Sequence, residues 1–169
     1  METQELITMG AGRLKDRRDA LSVLLHEYAH QWYGDTVTPN NWPDLWLNES
    51  FAMFIQIEWM VDQGWSTERS WRRFLRNNDN YFRQKDGPPG DYKPNNFASG
   101  CVYLCGALML FELRDKIGTQ AFDDILRNWP QQHHNSNVNR DDYTAWISTQ
   151  VGKNLEPFLT DWLMSPTTP

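Results

Sequence analysis

The strongest pattern in the sequence is HEYAHQWYGD, residues 26–35, together with WLNESFA, residues 46–52. Its first five residues read H-E-x-x-H, and they lie in a run whose apolar residues recur at helical spacing. Residues four apart on a helix share a face, so His26 and His30 present two imidazoles to one point. Neutral imidazole is a good zinc ligand, and Glu27 between them is placed to act as a general base. The pattern therefore predicts part of a catalytic zinc site on one helix.

A catalytic zinc site needs a third protein ligand, and a carboxylate follows at a suitable distance. Eighteen residues separate His30 from Glu49, and the spacer contains turn-forming residues between 34 and 44. The chain can therefore reverse before a second helix begins near Asn48. A surface helix with a solvated His-Glu pair is the alternative, but the delayed glutamate makes a coincidental match rarer. We predict one zinc ion bound by His26, His30 and Glu49.

These two segments resemble the aminopeptidase N family of zinc metallopeptidases, gluzincins with the motif H-E-x-x-H-x18-E. The resemblance covers most of the 169 residues. It implies the helical part of a thermolysin-like catalytic domain and hydrolysis of peptides from the N-terminus. It also implies that residues 1–169 are a single truncated catalytic domain, whose start and upstream β-rich domain are missing. The chain by itself is then expected to bind zinc but to be catalytically feeble.

The resemblance assigns two further residues. Residues 103–107, YLCGA, are similar to the family's Y-x-x-G-A segment, which implies that Tyr103 donates a hydrogen bond to the oxyanion. A tyrosine in an apolar helix is otherwise more often part of the core. Met1-Glu2 resembles the Met-Glu of the family's G-A-M-E-N motif, which implies that Glu2 binds the substrate's α-amino group. Thr3 replaces the family's Asn, and an ordinary exposed terminal glutamate is the alternative for Glu2.

Two other positions bear on the geometry of the site. Gln56 lies seven residues after Glu49, hence on the same helix face. The family has an acid there that can orient a ligating histidine; glutamine can accept a hydrogen bond but adds no charge. Gly106 is expected to permit close helix packing.

His133 and His134 fall in a linker, where a surface loop is a simpler explanation than a second metal site.

Composition excludes several classes of partner. The net charge of −6 and the pI near 5.1 argue against nucleic acid or an anionic membrane surface as a partner. No apolar run is long enough for a membrane segment.

Cys101 and Cys105 are expected to be buried free thiols, because a helical pair four apart is poorly placed for a disulfide. Four arginines of the third helix are expected to form a solvated basic face: Arg72, Arg73, Arg76 and Arg83.

Helical periodicity, caps and stops predict a mainly α chain with one or two short N-terminal strands in residues 1–9. The zinc-binding helix is expected to follow a cap at Asp16 or Asp19. Residues 86–100 form a turn-rich loop. The remaining helices are expected at about 48–62, 67–84, 101–117, 119–129, 140–151 and 155–163.

Three functions follow from these residues. The first is a zinc aminopeptidase that acts on peptide substrates and works together with the missing upstream domains of its parent protein. The second is an endopeptidase of the thermolysin type, which would not need Glu2. The third is a non-catalytic binding or scaffold relative, although such degeneration would normally remove Glu27 or a metal ligand, and all of these are present.

Overall fold

A computed structural model of the chain describes residues 2–96 and 98–169, apart from the side chains of Glu2, Arg13 and Leu14. Helices dominate it, as the sequence predicts. The α-helices in the described residues are α1 (Arg17–Ala29), α2 (Trp46–Asp62), α3 (Glu68–Asp86), α4 (Gly100–Ile117), α5 (Thr119–Gln132), α6 (Arg140–Val151) and α7 (Glu156–Met164). The strands are β1 (Glu2–Thr3), β2 (Leu6–Ile7), β3 (Val37–Pro39) and β4 (Ser136–Val138).

The helix ends follow the capping chemistry of the sequence. Asp16 caps α1 by accepting a hydrogen bond from the Asp19 backbone N–H at 2.8 Å, which settles the choice between the two aspartates. Thr67 and Ser70 form a reciprocal capping box at the start of α3. The prediction of a mainly α fold is confirmed.

The strands form two separate pairs. β1 and β2 make an antiparallel hairpin within the first nine residues, where a strand was expected. β3 and β4 pair in parallel across about a hundred residues of chain, and this pair was not predicted. Strands of three residues are too short to show a period-2 pattern, so only the tertiary structure brings them together.

Helix α2 lies at the centre of the molecule, between α1 and α4, and α3 covers α4. Residues 46–52 at its start are buried without interruption. Aromatic side chains fill the surrounding space: Tyr33 stacks on Phe51 with ring centroids 4.6 Å apart, and Phe54 contacts Phe111 at 4.7 Å. Burying each such side chain stabilises the fold by roughly 1.5–3 kcal/mol. The segment that carries Glu49 is thus part of the core.

Helices α2 and α4 cross at Gly106. A Cβ atom on this glycine would lie 1.7 Å from Ser50 Oγ and 2.5 Å from Ser50 Cβ, so no larger residue fits without movement of a helix. The Ser50 hydroxyl donates a hydrogen bond to the Val102 carbonyl at 2.8 Å across the same crossing. This agrees with the prediction that Gly106 permits close packing.

The prediction of a solvated basic face on α3 agrees with the exposure of Arg73 but is wrong for its neighbours. Arg72 forms ion pairs with Glu68, Glu112 and Asp115, and Arg76 pairs with Glu112. The reason is that this face of α3 meets acidic residues of α4, which lie about 40 residues further along the chain and which helical spacing alone does not reveal.

Arg83 also departs from that prediction, because it is buried rather than solvated. Its Nε donates to Asp79 Oδ2 at 2.7 Å, and both side chains are 0% exposed. Its Nη1 donates to the Ser165 carbonyl at 2.8 Å, which ties the segment after α7 to α3. A buried charge needs such a partner, since an unpaired one is costly.

The expectation of free thiols is wrong as well. Cys101 and Cys105 form a disulfide within α4, and their Cα atoms lie 4.8 Å apart, inside the range that disulfides span. Both residues are buried, as predicted.

Candidate metal centre

Two histidines from the end of α1 and one glutamate from the start of α2 converge on one point. His26 Nε2 lies 3.2 Å from Glu49 Oε2 and 3.2 Å from His30 Nε2. His30 Nε2 lies 3.3 Å from Glu49 Oε2. His30 follows the last residue of α1 but keeps helical dihedral angles, so the spacing of four residues still places both imidazoles on one face. Within the described residues this is the group of His, Cys, Asp and Glu side chains suited to a metal.

The three distances fit a zinc ion. Zinc is bound tetrahedrally, with ligand nitrogen and oxygen atoms about 2.0–2.1 Å away. The edge of a regular tetrahedron is about 1.63 times its centre-to-vertex distance, so two ligand atoms of such a site lie about 3.3 Å apart. The observed separations of 3.2, 3.2 and 3.3 Å are those of one face of this tetrahedron. The fourth vertex is not supplied by these three side chains, as a catalytic site requires.

The tautomer of His30 suits a ligand. Its Nδ1 lies 2.9 Å from the Tyr33 carbonyl oxygen, which can only accept a hydrogen bond. Nδ1 therefore carries the proton, and the lone pair of Nε2 in the neutral ring points at the candidate metal position. His30 is 1% exposed, so its ring is held by packing on all sides.

The environment of His26 differs. Its Nδ1 is buried and has no hydrogen-bond partner in the structure. A hydrogen bond from Gln56 to a ligating histidine stays a prediction; the orienting contact among the described residues is that of His30 Nδ1 with the Tyr33 carbonyl. Seven residues carry Gln56 about 10 Å along the α2 axis from Glu49.

The Glu49 carboxyl is set to be ionised. Burial raises its pKa, but hydrogen bonds and charge from His26 and His30 outweigh the burial and lower the pKa from 4.5 to about 2. A carboxylate at neutral pH is the form that binds zinc.

The structure brings Tyr103 to the same place. Its ring centroid lies 5.8 Å from that of His26, with the planes tilted by 32°, and its side chain is half-buried on α4. Glu27 is half-buried on α1, beside the first ligand. The side chain of Glu2 lies outside the described residues; its backbone belongs to β1, and β2 packs on α1. The assigned roles of these three residues stay predictions.

Sequence reasoning missed two contributors to this geometry. One is the Tyr33 carbonyl, which no side-chain pattern can reveal. The other is Gln31, which follows His30 and whose side chain reaches the β1–β2 hairpin. The signal in the sequence was that Gln31, a polar residue, directly follows the ligand His30 in the segment HEYAHQWYGD.

Comparisons with known proteins identify the class. The fold is similar to that of a zinc metallopeptidase from Deinococcus radiodurans with a Tyr-Ser-Ala substrate bound: the TM-score is 0.75 at 30% identity, over 96% of this chain and 36% of that chain. In fold, the chain is thus similar to the class of zinc metallopeptidases. The model of the peptidase family M1 domain matches residues 1–162. The chain therefore belongs to peptidase family M1, which confirms the resemblance and implies zinc as the metal.

Two curated relatives agree with this assignment. Aminopeptidase N of Lactococcus lactis subsp. lactis is 31% identical over 89% of this chain and 19% of its own length. Leucyl aminopeptidase of Saccharolobus solfataricus is 30% identical over 85% of this chain and 20% of its own length. The chain thus spans about a fifth of the length of these relatives. In the described part of the chain, no helix is long and apolar enough to cross a membrane.

Proposed function

We propose that this chain carries the zinc centre of an aminopeptidase that removes N-terminal residues from peptides. The observation that supports it is the triangle of His26, His30 and Glu49 donor atoms, whose 3.2–3.3 Å edges match one zinc ion per chain. Tyr103 beside His26 and the aminopeptidase names of the relatives favour this reaction over other uses of zinc.

Each residue has a defined part in the reaction. A zinc ion bound here would supply a water of lowered pKa and polarise the scissile carbonyl. Glu27 accepts the proton of the attacking water and later delivers it to the leaving amine. Tyr103 donates its phenolic hydrogen to the oxyanion that develops on the carbonyl oxygen. Glu2 binds the substrate's ammonium group, so that the first peptide bond is the one that reaches the centre.

Two other functions make different predictions. A thermolysin-type endopeptidase would not need the ammonium contact and would accept substrates with a blocked N-terminus. A scaffold relative would bind peptides without cleaving them. The presence of Glu27 and of all three ligand side chains supports an enzyme rather than a scaffold.

The test is hydrolysis of a leucine anilide and of its N-acetylated form by the zinc-loaded chain, with the chain in excess so that a slow single turnover is measurable. We expect cleavage of the free-amine substrate only. Glu27→Gln should keep one zinc per chain and lower the cleavage rate by roughly 10²–10⁴-fold, the range of general-base catalysis. Equal cleavage of both substrates would favour an endopeptidase, and equal rates for the wild type and Glu27→Gln would contradict the role of Glu27.

A further inference from the structure

The side chain of Gln31 connects the metal centre to the β1–β2 hairpin. Its Oε1 accepts a hydrogen bond from the Glu5 backbone N–H at 2.9 Å, and its Nε2 donates to the Thr3 carbonyl at 3.1 Å. Nε2 also donates to Asp35 Oδ2 at 2.9 Å. One side chain thus uses both ends of its amide to hold the hairpin backbone at Thr3, the end of β1, and at Glu5, within the turn.

The segment from which Gln31 projects is itself fixed. The Asp35 N–H donates to the His30 carbonyl at 2.9 Å, and the Thr36 hydroxyl donates to the Gln31 carbonyl at 2.7 Å. A further hydrogen bond runs from the hairpin to this segment: the Gln4 side-chain amide donates to the Asp35 carbonyl at 3.3 Å. The hairpin turn and the ligand His30 therefore belong to one hydrogen-bonded unit.

The hairpin needs an external partner. Its strands have two residues each, and Leu6 is 63% exposed, so it buries little apolar surface of its own. An isolated two-stranded hairpin is marginally stable in water. Glu5 moreover has a positive φ of 62°, which is uncommon for a residue other than glycine. The bond from its N–H to Gln31 stabilises this conformation.

From these contacts we infer that Gln31 is a positioning residue that determines the preference for substrates with a free α-amino group. The Thr3 carbonyl that it holds is one residue from Glu2, and a strand rises only about 3.3 Å per residue. Gln31 therefore fixes the backbone of β1, which includes Glu2, relative to His30. The inference rests on the proposed function, because it takes Glu2 as the group that binds the amine.

The contacts also explain why this position should affect selectivity rather than metal binding. Among the described residues, the hydrogen bonds of the Gln31 side chain go to Thr3, Glu5 and Asp35 rather than to the donor atoms of the metal triangle. His30 keeps its own bond to the Tyr33 carbonyl. A misplacement of reacting groups by about 1 Å can cost on the order of a hundredfold. Loss of the Gln31 amide should thus change recognition of the amine and leave zinc affinity intact.

The experiment compares the zinc-loaded chain with its Gln31→Ala variant. Calorimetry measures the affinities for leucine hydroxamate and for 4-methylpentanoyl hydroxamate, which has the same zinc-binding group and side chain but lacks the amine. We expect the preference for the amine to fall at least about tenfold in Gln31→Ala, with unchanged zinc content and unchanged affinity for the ligand without the amine. Gln84→Ala, at an exposed glutamine of α3, is the matched control.

Two further measurements separate a positioning role from a general loss of structure. Hydrogen exchange of the Glu5 amide should accelerate in Gln31→Ala even without zinc, while the amides of α2 keep their protection. Gln31→Glu keeps the acceptor but cannot donate to the Thr3 carbonyl, and should behave like Gln31→Ala. A preference for the amine that survives in Gln31→Ala would overturn this inference alone. Equal affinities of both ligands for the unchanged chain would overturn the amine-binding function and this inference with it.

Discussion

The metal centre and the β1–β2 hairpin meet at neighbouring residues of the chain, yet different interactions hold them. The ligand side chains project from helices packed into the core: His30 is 1% exposed and Glu49 is 9% exposed. The hairpin projects Leu6 at 63% exposure and depends on the polar contacts of Gln31 and Asp35. Burial of aromatic side chains contributes several kcal/mol to the first region, whereas each hydrogen bond of the second contributes only about 0.5–1.5 kcal/mol.

This difference suggests that metal binding and substrate register are independent properties of the chain. Ligand geometry depends on how α1, α2 and α4 pack, so surface substitutions should leave it unchanged. Substrate register, meaning which peptide bond reaches the metal centre, depends on a small number of exposed hydrogen bonds. Single substitutions should therefore change it with little effect on the stability of the fold. Substitutions in one region that leave the properties of the other unchanged would support the separation.

The largest expected effect is on zinc affinity in Glu49→Gln. A neutral amide is a poorer zinc ligand than a carboxylate. A four-ligand zinc site is worth about 10–16 kcal/mol, so one ligand accounts for roughly 2.5–4 kcal/mol and its loss should weaken binding by about a hundredfold to a thousandfold. Competition with a fluorescent chelator measures this affinity, and Glu156→Gln at an exposed glutamate of α7 is the control. Equal zinc affinities of wild type and Glu49→Gln would remove Glu49 from the metal site.

A smaller effect is expected for Tyr103→Phe. This substitution keeps the ring beside His26 and removes only the hydroxyl. Loss of one oxyanion donor costs roughly a hundredfold or more in kcat, so kcat should fall by about that factor while zinc content and the hydrogen exchange of the hairpin stay unchanged. Hydrolysis of leucine anilide at saturating zinc measures the change. An unchanged kcat would indicate that Tyr103 is a core residue, as tyrosines in apolar helices usually are.

Much of the first region could be predicted from the sequence, because its determinants are local. The shared face of His26 and His30 follows from helix geometry, and a cap at Asp16 or Asp19 follows from capping preferences, although only the structure selects Asp16. The parallel pairing of β3 with β4 and the acidic partners of Arg72 could not be predicted, since they join residues that are distant in the chain. Within the site, the Tyr33 carbonyl orients His30. Main-chain acceptors have no sequence signature.

The smallest effect is expected for Gly106→Ala, which should change the stability of the packed core around the metal centre. Alanine is favoured over glycine in a helix by about 1 kcal/mol, which alone would stabilise α4. Against this, the new Cβ would lie 1.7 Å from Ser50 Oγ and 2.5 Å from Ser50 Cβ. Rotation of the Ser50 hydroxyl removes the first overlap but not the second, so α2 and α4 must separate.

Overpacking of this kind costs typically 1–3 kcal/mol. Because the Ser50 Cβ cannot rotate away from the new methyl group, we expect the overlap to outweigh the gain in helix propensity. We expect a net loss of about 1–2 kcal/mol in the free energy of unfolding, measured by urea denaturation. Gly12→Ala is the matched control, because a Cβ there meets nothing within 4 Å. Since Ser50 is the neighbour of Glu49, separation of the helices should also weaken zinc binding, while the hairpin amides keep their exchange rates. Accelerated exchange of the Glu5 amide in Gly106→Ala would show that the two regions are coupled and would contradict their independence.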